Sequence, residues 1–396
     1  MRGAQRRGWW GTRHDYTDAT RVAQPVPAFR LASVDVFRGV TMAAMVIVNT
    51  PGDWSHVYAP LLHADWHGWT PTDLIFPFFV FIVGVSIVLS SRSAGSLTAI
   101  ARRAALLFAI GLGLALYPTF NFATVRVVGV LPRLALCYFF AALVFRAIAG
   151  RPDPVRLRVV LAAAGVLLVG YWGLLTFVPV PGGTAGDLSP SGNLGAWLDR
   201  TLIGEAHLWR QSKTWDPEGL LSTLSAIATA LTGVAAGIVL RGSRRTVDKM
   251  LLLAAAGLVG VAAGLAWGTR FPINKNLWTS SYVLLTSGLA SVALAACYWA
   301  IDGRSPGKTW CRPLIVLGTN ALALFVLSGL LVKTLILIKV SGADGASVSL
   351  YAWIYQHVFA PLASPKNASL LFAIAALVVL YGVLELLYRR RWFLRV

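Results

Sequence analysis

Charged residues are scarce in this sequence, and acidic residues are scarcer than basic ones. The 396 residues include 16 Asp and Glu, and all charged residues together make up 13% of the chain. An ordinary soluble domain carries about 25% charged residues because its surface faces water. With 57% hydrophobic residues and a mean hydropathy of +0.67, the composition excludes a soluble globular protein. It indicates a chain that is mostly surrounded by lipid.

Cysteine is also rare. The three cysteines, Cys137, Cys297 and Cys311, lie in or beside apolar segments. Their odd number and wide spacing favour neither a disulfide framework nor a cysteine-based zinc site. We interpret them as small apolar packing residues.

The excess of basic residues does not indicate a nucleic-acid-binding protein. The formal net charge is +19, but Arg and Lys occur in short clusters that alternate with long apolar runs. A nucleic-acid-binding domain needs its basic residues on one face, whereas clusters beside apolar runs are typical of membrane proteins. We therefore exclude nucleic acid as a partner and expect a lipid bilayer.

Ten apolar segments are long enough to cross a bilayer, because a spanning helix needs about 20 mainly apolar residues. The predicted spans lie near residues 33–50, 73–91, 103–118, 127–146, 159–178, 220–240, 249–268, 279–300, 313–337 and 368–388. The ninth is either one helix or a helix broken near Gly329, so the helix count around residues 313–368 stays open. The sequence predicts an all-α integral membrane protein, a polytopic bundle of about ten transmembrane helices.

The loops predict the orientation, because cytoplasmic loops are enriched in Arg and Lys. Basic clusters occur in alternate loops and near the C-terminal end, around residues 102–103, 156–158, 244–245 and 389–391. Loops 92–102 and 241–248 are therefore predicted to be cytoplasmic, as are both termini. Loops 50–72 and 179–218 are predicted to face outside.

The domain organisation follows from the same pattern. Residues 1–30 are polar and rich in Arg, and no short apolar core with a cleavage site follows them. We interpret residues 1–30 as a basic cytoplasmic tail and residues 31–396 as a single polytopic transmembrane domain.

Ionisable residues within the spans are candidates for function, because charge is unfavourable in hydrocarbon. These residues are Asp35, Arg38, Asp73, Arg133, Lys333 and Glu385. The first two stand three apart and are expected to pair on one helix face. Arg133 follows Pro132 and either lines a cavity or forms an internal salt bridge. Lys333 and Glu385 lie near span ends, where their side chains can reach the interface.

The outer segment from His63 to Asp73 holds two histidines, His63 and His67, and two carboxylates. Imidazole titrates near neutrality, so a histidine here can carry a proton to or from an amine or hydroxyl. A metal site would need a third ligand from His56 or Asp53, and the intervening Gly-Trp-Thr-Pro sequence disfavours a regular helix. We expect no metal.

Several motifs along the chain resemble one family. They are Ser33-Val34-Asp35-Val36-Phe37-Arg38-Gly39, Val48-Asn49, the run from His63 through Trp66, Gly68, Thr70 and Asp73 to Gly84, Arg126-x-x-Gly129-Val130-Leu131-x-Arg133, Trp215-Asp216-Pro217-Glu218-Gly219, Pro272-Ile273-Asn274-Lys275 and Asn320-Ala321. Together they resemble the heparan-alpha-glucosaminide N-acetyltransferases, a family of transmembrane acyltransferases, and within it the bacterial branch. The likeness covers nearly everything after residue 30.

The resemblance implies a multi-pass enzyme of the bacterial inner membrane that uses acetyl-CoA as co-substrate to acetylate a glucosamine-type amine on the non-cytoplasmic side. It implies that His63 is catalytic and that Asn49 lies with it in the active site. In lysosomal members the stretch between these two residues is shorter, and asparagine stands at the position of His67. The acceptor, an amino sugar or a glycan, therefore stays open. Some bacterial relatives are associated with N-acetylglucosamine uptake, so an inner-membrane transporter is the alternative. A homodimer is also left open.

The residue chemistry agrees with a transferase. His63 can act as general base or as a transient acetyl acceptor, and the sequence does not choose between these routes. Asn49 can donate a hydrogen bond to the thioester oxygen, and Asp73 can orient His63 and raise its basicity. Acetyl-CoA is polyanionic and needs fixed positive charge, for which Arg126 and Arg133 are candidates.

Overall fold

The computed structural model describes residues 31–90, 96–303, 308–341 and 347–394. The predicted basic tail 1–30 lies outside the described residues. The helices are α1 (Ala32–Asn49), α2 (Ile75–Leu89), α3 (Leu97–Leu116), α4 (Val130–Ala147), α5 (Asp153–Phe177), α6 (Leu194–Leu202), α7 (Ser222–Arg241), α8 (Thr246–Gly268), α9 (Ser280–Cys297), α10 (Arg312–Thr319), α11 (Ala321–Leu337), α12 (Leu350–Ile354) and α13 (Pro365–Arg389). Strands β1 (Lys339–Ser341) and β2 (Ser347–Ser349) form one antiparallel pair.

The predicted all-α polytopic bundle is confirmed. Within the described ranges, nine helices are long and apolar enough to cross a membrane, and α10 with α11 forms a bent pair that makes a tenth. The helix ends differ from the predicted spans by a few residues. The third helix begins at Leu97 rather than near residue 103, because the helix continues beyond its apolar part to include Arg102 and Arg103.

The ninth span is interrupted at Asn320, not near Gly329. α10 and α11 meet there at an angle of 80°, and the backbone of Asn320 is not helical (φ −116°, ψ 35°). The Asn320 side chain donates to the carbonyl oxygen of Trp392 at 3.2 Å and accepts from the backbone N–H of Leu394 at 3.3 Å. The chain near the C-terminus thus satisfies polar groups at the break, as irregular backbone inside a membrane protein requires.

Helix α7 is the most buried of the candidate spans, with 89% of its apolar window buried. Its close partner is α2, because glycines bring the two backbones together. A Cβ atom at Gly84 would lie 1.9 Å from the carbonyl oxygen of Ala230, and one at Gly233 would lie 2.0 Å from that of Phe81. Small residues permit such close helix packing in membranes. The contact fixes the position of α2, which carries part of the site.

The positions at which the helices begin and end define two ends of the bundle. α1 ends and α2, α4, α7 and α9 begin at one end, which we call the outer end. α2, α4 and α7 end at the opposite end, which we call the inner end. The assignment of these ends to the outside and the cytoplasm stays a prediction from the basic clusters.

Candidate active site

A cavity of about 480 Å³ opens at the outer end of the bundle. We call it the outer cavity. Its wall includes Asn49, His63, Trp209, Trp215, Glu218 and Lys275. The volume suits a small molecule or the end of a longer one.

His63 and Asp73 form the central pair of this site. Nδ1 of His63 lies 2.6 Å from Oδ1 of Asp73. The histidine is 48% exposed, whereas the carboxylate is 1% exposed. Because the carboxylate accepts the Nδ1 proton, Nε2 keeps a lone pair for chemistry. This is the orientation that the sequence predicted for Asp73, although its catalytic role stays a prediction.

A short 3₁₀ turn, Pro71–Leu74, leads into α2 and holds the carboxylate in place. Oδ2 of Asp73 accepts hydrogen bonds from the backbone N–H groups of Ala64 at 3.1 Å and Thr70 at 2.9 Å. Asp73 returns its own N–H to the carbonyl oxygen of Thr70, and Pro71 lies in the first turn. Thr70 is therefore the cap of this 3₁₀ turn.

Lys275 is a member of the site that sequence reasoning missed. Its Nζ lies 3.1 Å from Nε2 and 3.2 Å from Nδ1 of His63, and 4.0 Å from Oδ1 of Asp73. Burial lowers the pKa of the Lys275 ammonium, because a charged group loses hydration there. The only sequence signal was its place in the Pro272-Ile273-Asn274-Lys275 motif.

Of the three histidines in loop 50–72, His63 alone lines the outer cavity. His56 pairs with Asp53 at 2.6 Å elsewhere on the surface. Nδ1 of His67 accepts from the Asn274 side chain at 3.4 Å. Across the described ranges, no three His, Cys, Asp or Glu side chains lie close enough together to hold a metal ion.

Asn49 is the last residue of α1 and lines the same cavity as His63. The structure therefore brings Asn49 and His63 to the same cavity. Their roles in oxyanion stabilisation and proton or acetyl transfer remain predictions.

Arg126 lines the outer cavity, but two carboxylates already bind its guanidinium group. Nε donates to Oδ2 of Asp216 at 2.8 Å, and Nη2 donates to Asp216 and Glu218. The Trp215-Asp216-Pro217-Glu218-Gly219 motif thus fixes Arg126. Its predicted contact with acetyl-CoA stays a prediction, and this pairing does not favour it.

Arg133 lies behind the cavity wall and is 1% exposed. It donates to the carbonyl oxygen of Gly219 at 3.0 Å and to the hydroxyl of Ser222. Its guanidinium carbon lies 5.1 Å from the ring centroid of Trp278. Its observed partners are thus a carbonyl and a hydroxyl, and it is not among the residues that line the outer cavity. Its predicted contact with acetyl-CoA stays a prediction.

A second cavity, of about 290 Å³, lies toward the inner end. We call it the inner cavity. Arg38 and Arg103 line it, and Phe79 and Phe325 line both cavities. The predicted Asp35–Arg38 pair is confirmed at 3.3 Å.

Sequence comparison relates this arrangement to known proteins. Residues 30–175 match the family described as heparan-alpha-glucosaminide N-acetyltransferase, catalytic. The chain is 33% identical over 353 residues to heparan-alpha-glucosaminide N-acetyltransferase of Homo sapiens, covering 75% of this chain and 52% of the relative. The protein of that name from Mus musculus is 32% identical over 368 residues, covering 79% of this chain and 55% of the relative. The chain thus spans about half the length of these relatives.

The matched region contains α1 to α4 with His63, Asp73 and Asn49, and the similarity to the two relatives extends well beyond it. This multi-pass membrane protein belongs to the heparan-alpha-glucosaminide N-acetyltransferase family.

Proposed function

We propose that this protein transfers the acetyl group of acetyl-CoA to the amine of a glucosamine-type sugar at the outer end of the bundle. The observation that carries the proposal is the His63–Asp73 pair on the wall of the outer cavity. A histidine with a buried carboxylate on one nitrogen and an open cavity at the other has the geometry of a general base or nucleophile. The relatives' names supply the acetyl group and the acceptor class.

The chemistry requires a base and an oxyanion donor. An amine attacks a thioester only after it loses its extra proton, and negative charge develops on the carbonyl oxygen during attack. Nε2 of His63 accepts the proton or, in a two-step route, the acetyl group itself. Asn49, on the same wall, donates a hydrogen bond to the oxygen.

The inner cavity is the proposed route for the donor. Acetyl-CoA is made in the cytoplasm, and its phosphates favour a basic surface such as that near Arg103. α2 rises about 1.5 Å per residue, so Ser86 at the inner cavity lies about 20 Å from Asp73. Only the thin acetyl-bearing arm of the donor then has to pass Phe79 and Phe325 to reach His63.

The outer cavity has features that fit an amino sugar. Trp209 and Trp215, whose ring centroids are 5.4 Å apart, offer flat apolar surfaces for the face of a sugar ring. Asp65, which also lines the cavity, attracts an ammonium group. Under this proposal the protein is a multi-pass protein of the bacterial inner membrane.

The alternative is a carrier for N-acetylglucosamine or a related sugar. One observation favours it, because Phe79 and Phe325 line cavities at both ends of the bundle, as residues along a transporter route would. The bent pair α10–α11 also resembles the discontinuous helices of carriers.

One experiment separates the two functions. Purified protein in detergent receives acetyl-CoA and glucosamine, and free CoA and N-acetylglucosamine are measured. In detergent no gradient exists, so a carrier gives no product, whereas the proposed transferase releases both products in equal amounts. Absence of acetyl transfer together with N-acetylglucosamine uptake by proteoliposomes would replace the transferase by the carrier.

A further inference from the structure

Lys275 contacts the nitrogen of His63 at which the proposed chemistry takes place. Nδ1 of His63 points to Asp73, which leaves Nε2 as the reactive atom, and Nζ of Lys275 lies 3.1 Å from it. The lysine also lines the outer cavity. Nζ is also 3.2 Å from Nδ1, so the ammonium lies beside the imidazole ring, and a turn of the lysine side chain toward Nε2 brings the two groups into position for direct proton exchange.

The loop that carries Lys275 is held rigidly. The Asn274 side chain accepts from the backbone N–H of Leu277 at 2.8 Å, and the hydroxyl of Thr279 accepts from the N–H of Asn274 at 3.0 Å. Asn274 is 0% exposed. This loop fixes the lysine backbone next to His63, so the contact does not depend on a mobile surface side chain.

Charged groups from four segments act on the Lys275 ammonium. They are Glu218 and Asp73, which favour it, and Arg133 and Arg126, which oppose it. The His63 ring also lies beside the ammonium. Burial is the largest influence, and the pKa of Lys275 is lowered overall. A lowered pKa makes the ammonium a better proton donor.

We propose that Lys275 is the acid that protonates the departing CoA sulfur and regains that proton through its contact with His63. This inference rests on the proposed transferase function. It assigns Lys275 a catalytic role and applies both to direct transfer and to transfer through an acetyl-histidine intermediate.

In direct transfer, the acceptor nitrogen forms a bond to the carbonyl carbon while its proton goes to Nε2 of His63. The carbon–sulfur bond breaks, its electron pair stays on sulfur, and Lys275 supplies the proton that yields the free thiol. The His63 proton then moves to the neutral amine of Lys275, and both side chains return to their starting states.

In the two-step route, Nε2 of His63 attacks the carbonyl carbon, and Lys275 protonates the departing sulfur. The acceptor amine then attacks the acetyl-histidine, the bond from nitrogen Nε2 to carbon breaks, and the amine proton passes to Lys275. Each route gives one amide and one free thiol for one thioester and one amine.

The test compares two acetyl donors in the purified full-length protein. One is acetyl-CoA, whose thiolate needs a proton, and the other is the acetyl thioester of 4-nitrothiophenol, whose acidic thiol leaves without one. We expect Lys275→Met to slow glucosamine acetylation about 100-fold with acetyl-CoA and less than tenfold with the aromatic donor. Lys275→Arg keeps the charge but stays protonated, so we expect the same donor dependence. Lys366→Met, far from the cavity, is the matched control and should change neither rate.

Equal losses with both donors in Lys275→Met would overturn the inference, because a structural or purely electrostatic role affects both alike. Full activity of Lys275→Arg with acetyl-CoA would overturn it as well. A wild-type protein that transfers acetyl from neither donor would instead disprove the proposed function.

Discussion

The Nδ1 atom of His63 lies 2.6 Å from Oδ1 of Asp73, and the same carboxylate caps the short 3₁₀ turn Pro71–Leu74 that leads into α2. One buried group thus ties the His63 side chain to the start of α2, the helix that packs closely against α7. Replacing the Asp73 carboxylate by an amide therefore acts on the tautomer of His63. The backbone N–H groups of Ala64 and Thr70 still have a side-chain oxygen that accepts their hydrogen bonds.

We predict that Asp73→Asn lowers acetyl transfer by about 10² to 10⁴, because the amide cannot hold the Nδ1 proton as a carboxylate does. Glucosamine acetylation by purified protein is the measurement. The control is Asp53→Asn, which alters an equally short His–Asp pair outside the cavity. Equal activity of the two variants would contradict the proposed role of Asp73.

We predict that His63→Ala abolishes measurable acetyl transfer and that Asn49→Ala lowers turnover severely. The first variant removes the base or acetyl acceptor, and the second removes a donor to the developing oxyanion, which is commonly worth about 10² to 10³ in rate. Size-exclusion profiles of the two variants should match that of the wild type. Near-normal turnover of His63→Ala would exclude the mechanism.

The control for that prediction is His67→Asn, which should stay within about tenfold of the wild type. His67 lies outside the cavity wall and accepts only a long hydrogen bond from Asn274. Loss of activity in His67→Asn, together with inhibition by a chelator, would support a metal site.

Hydropathy predicted the helices because lipid imposes long apolar segments whatever the neighbouring helices are. It failed at Asn320, because one polar residue within an apolar run does not change the average. Gly329, where a break was the alternative to one continuous helix, lies against the side chain of Leu114, where a Cβ would come within 3.1 Å. A glycine that permits close packing and one that interrupts a helix look alike in sequence.

The site likewise contains one feature that could be predicted from the sequence and one that could not. His63 and Asp73 are ten positions apart, so the pair could be predicted from a single loop. Lys275 lies 212 positions from His63, and a lone lysine between two spans looks like an ordinary loop residue. The partners of Arg133 include a backbone carbonyl, which no charge pattern reveals, and its contact with acetyl-CoA stays a prediction.

We predict that residues 187 and 244 lie on opposite sides of the membrane. Single cysteines at Asp187 and Arg244 should react differently with a membrane-impermeant maleimide on intact cells, with labelling of the first only. The Arg and Lys clusters place residue 244 inside. Labelling of both from outside would overturn the topology and, with it, the proposed route of the donor.

We predict a pH-dependent gain in stability for Asp199→Asn. Burial raises the pKa of the Asp199 carboxyl from 3.8 to about 6, so between these values the folded state binds more protons than the unfolded state. Its free energy of unfolding therefore falls as the pH rises through that range. Asparagine carries no charge and keeps an acceptor for the backbone N–H of Leu220, which lies 2.8 Å from Oδ1.

The melting temperature in detergent should rise in Asp199→Asn at pH 7.5, and the gain should shrink at pH 5. A shift of about two pKa units corresponds to about 3 kcal/mol as an upper bound. Asp248→Asn, at an exposed carboxylate, should show no such pH dependence. A gain of the same size at both pH values would mean that the charge of Asp199 is not the cause.

The last prediction concerns the junction of the two cavities at Phe325. Phe325→Trp places a larger ring where the arm of acetyl-CoA is proposed to pass, and added volume in a packed site obstructs it. Turnover with acetyl-CoA should fall at least tenfold. The acetyl thioester of 4-nitrothiophenol is small enough to enter through the outer cavity, so its rate should change little. Phe140→Trp, at an exposed phenylalanine on α4, is the matched control and should leave both rates unchanged. If Phe325→Trp slowed both donors equally, the junction would not be the passage for the donor, and acetyl-CoA would have to reach His63 from the outer end.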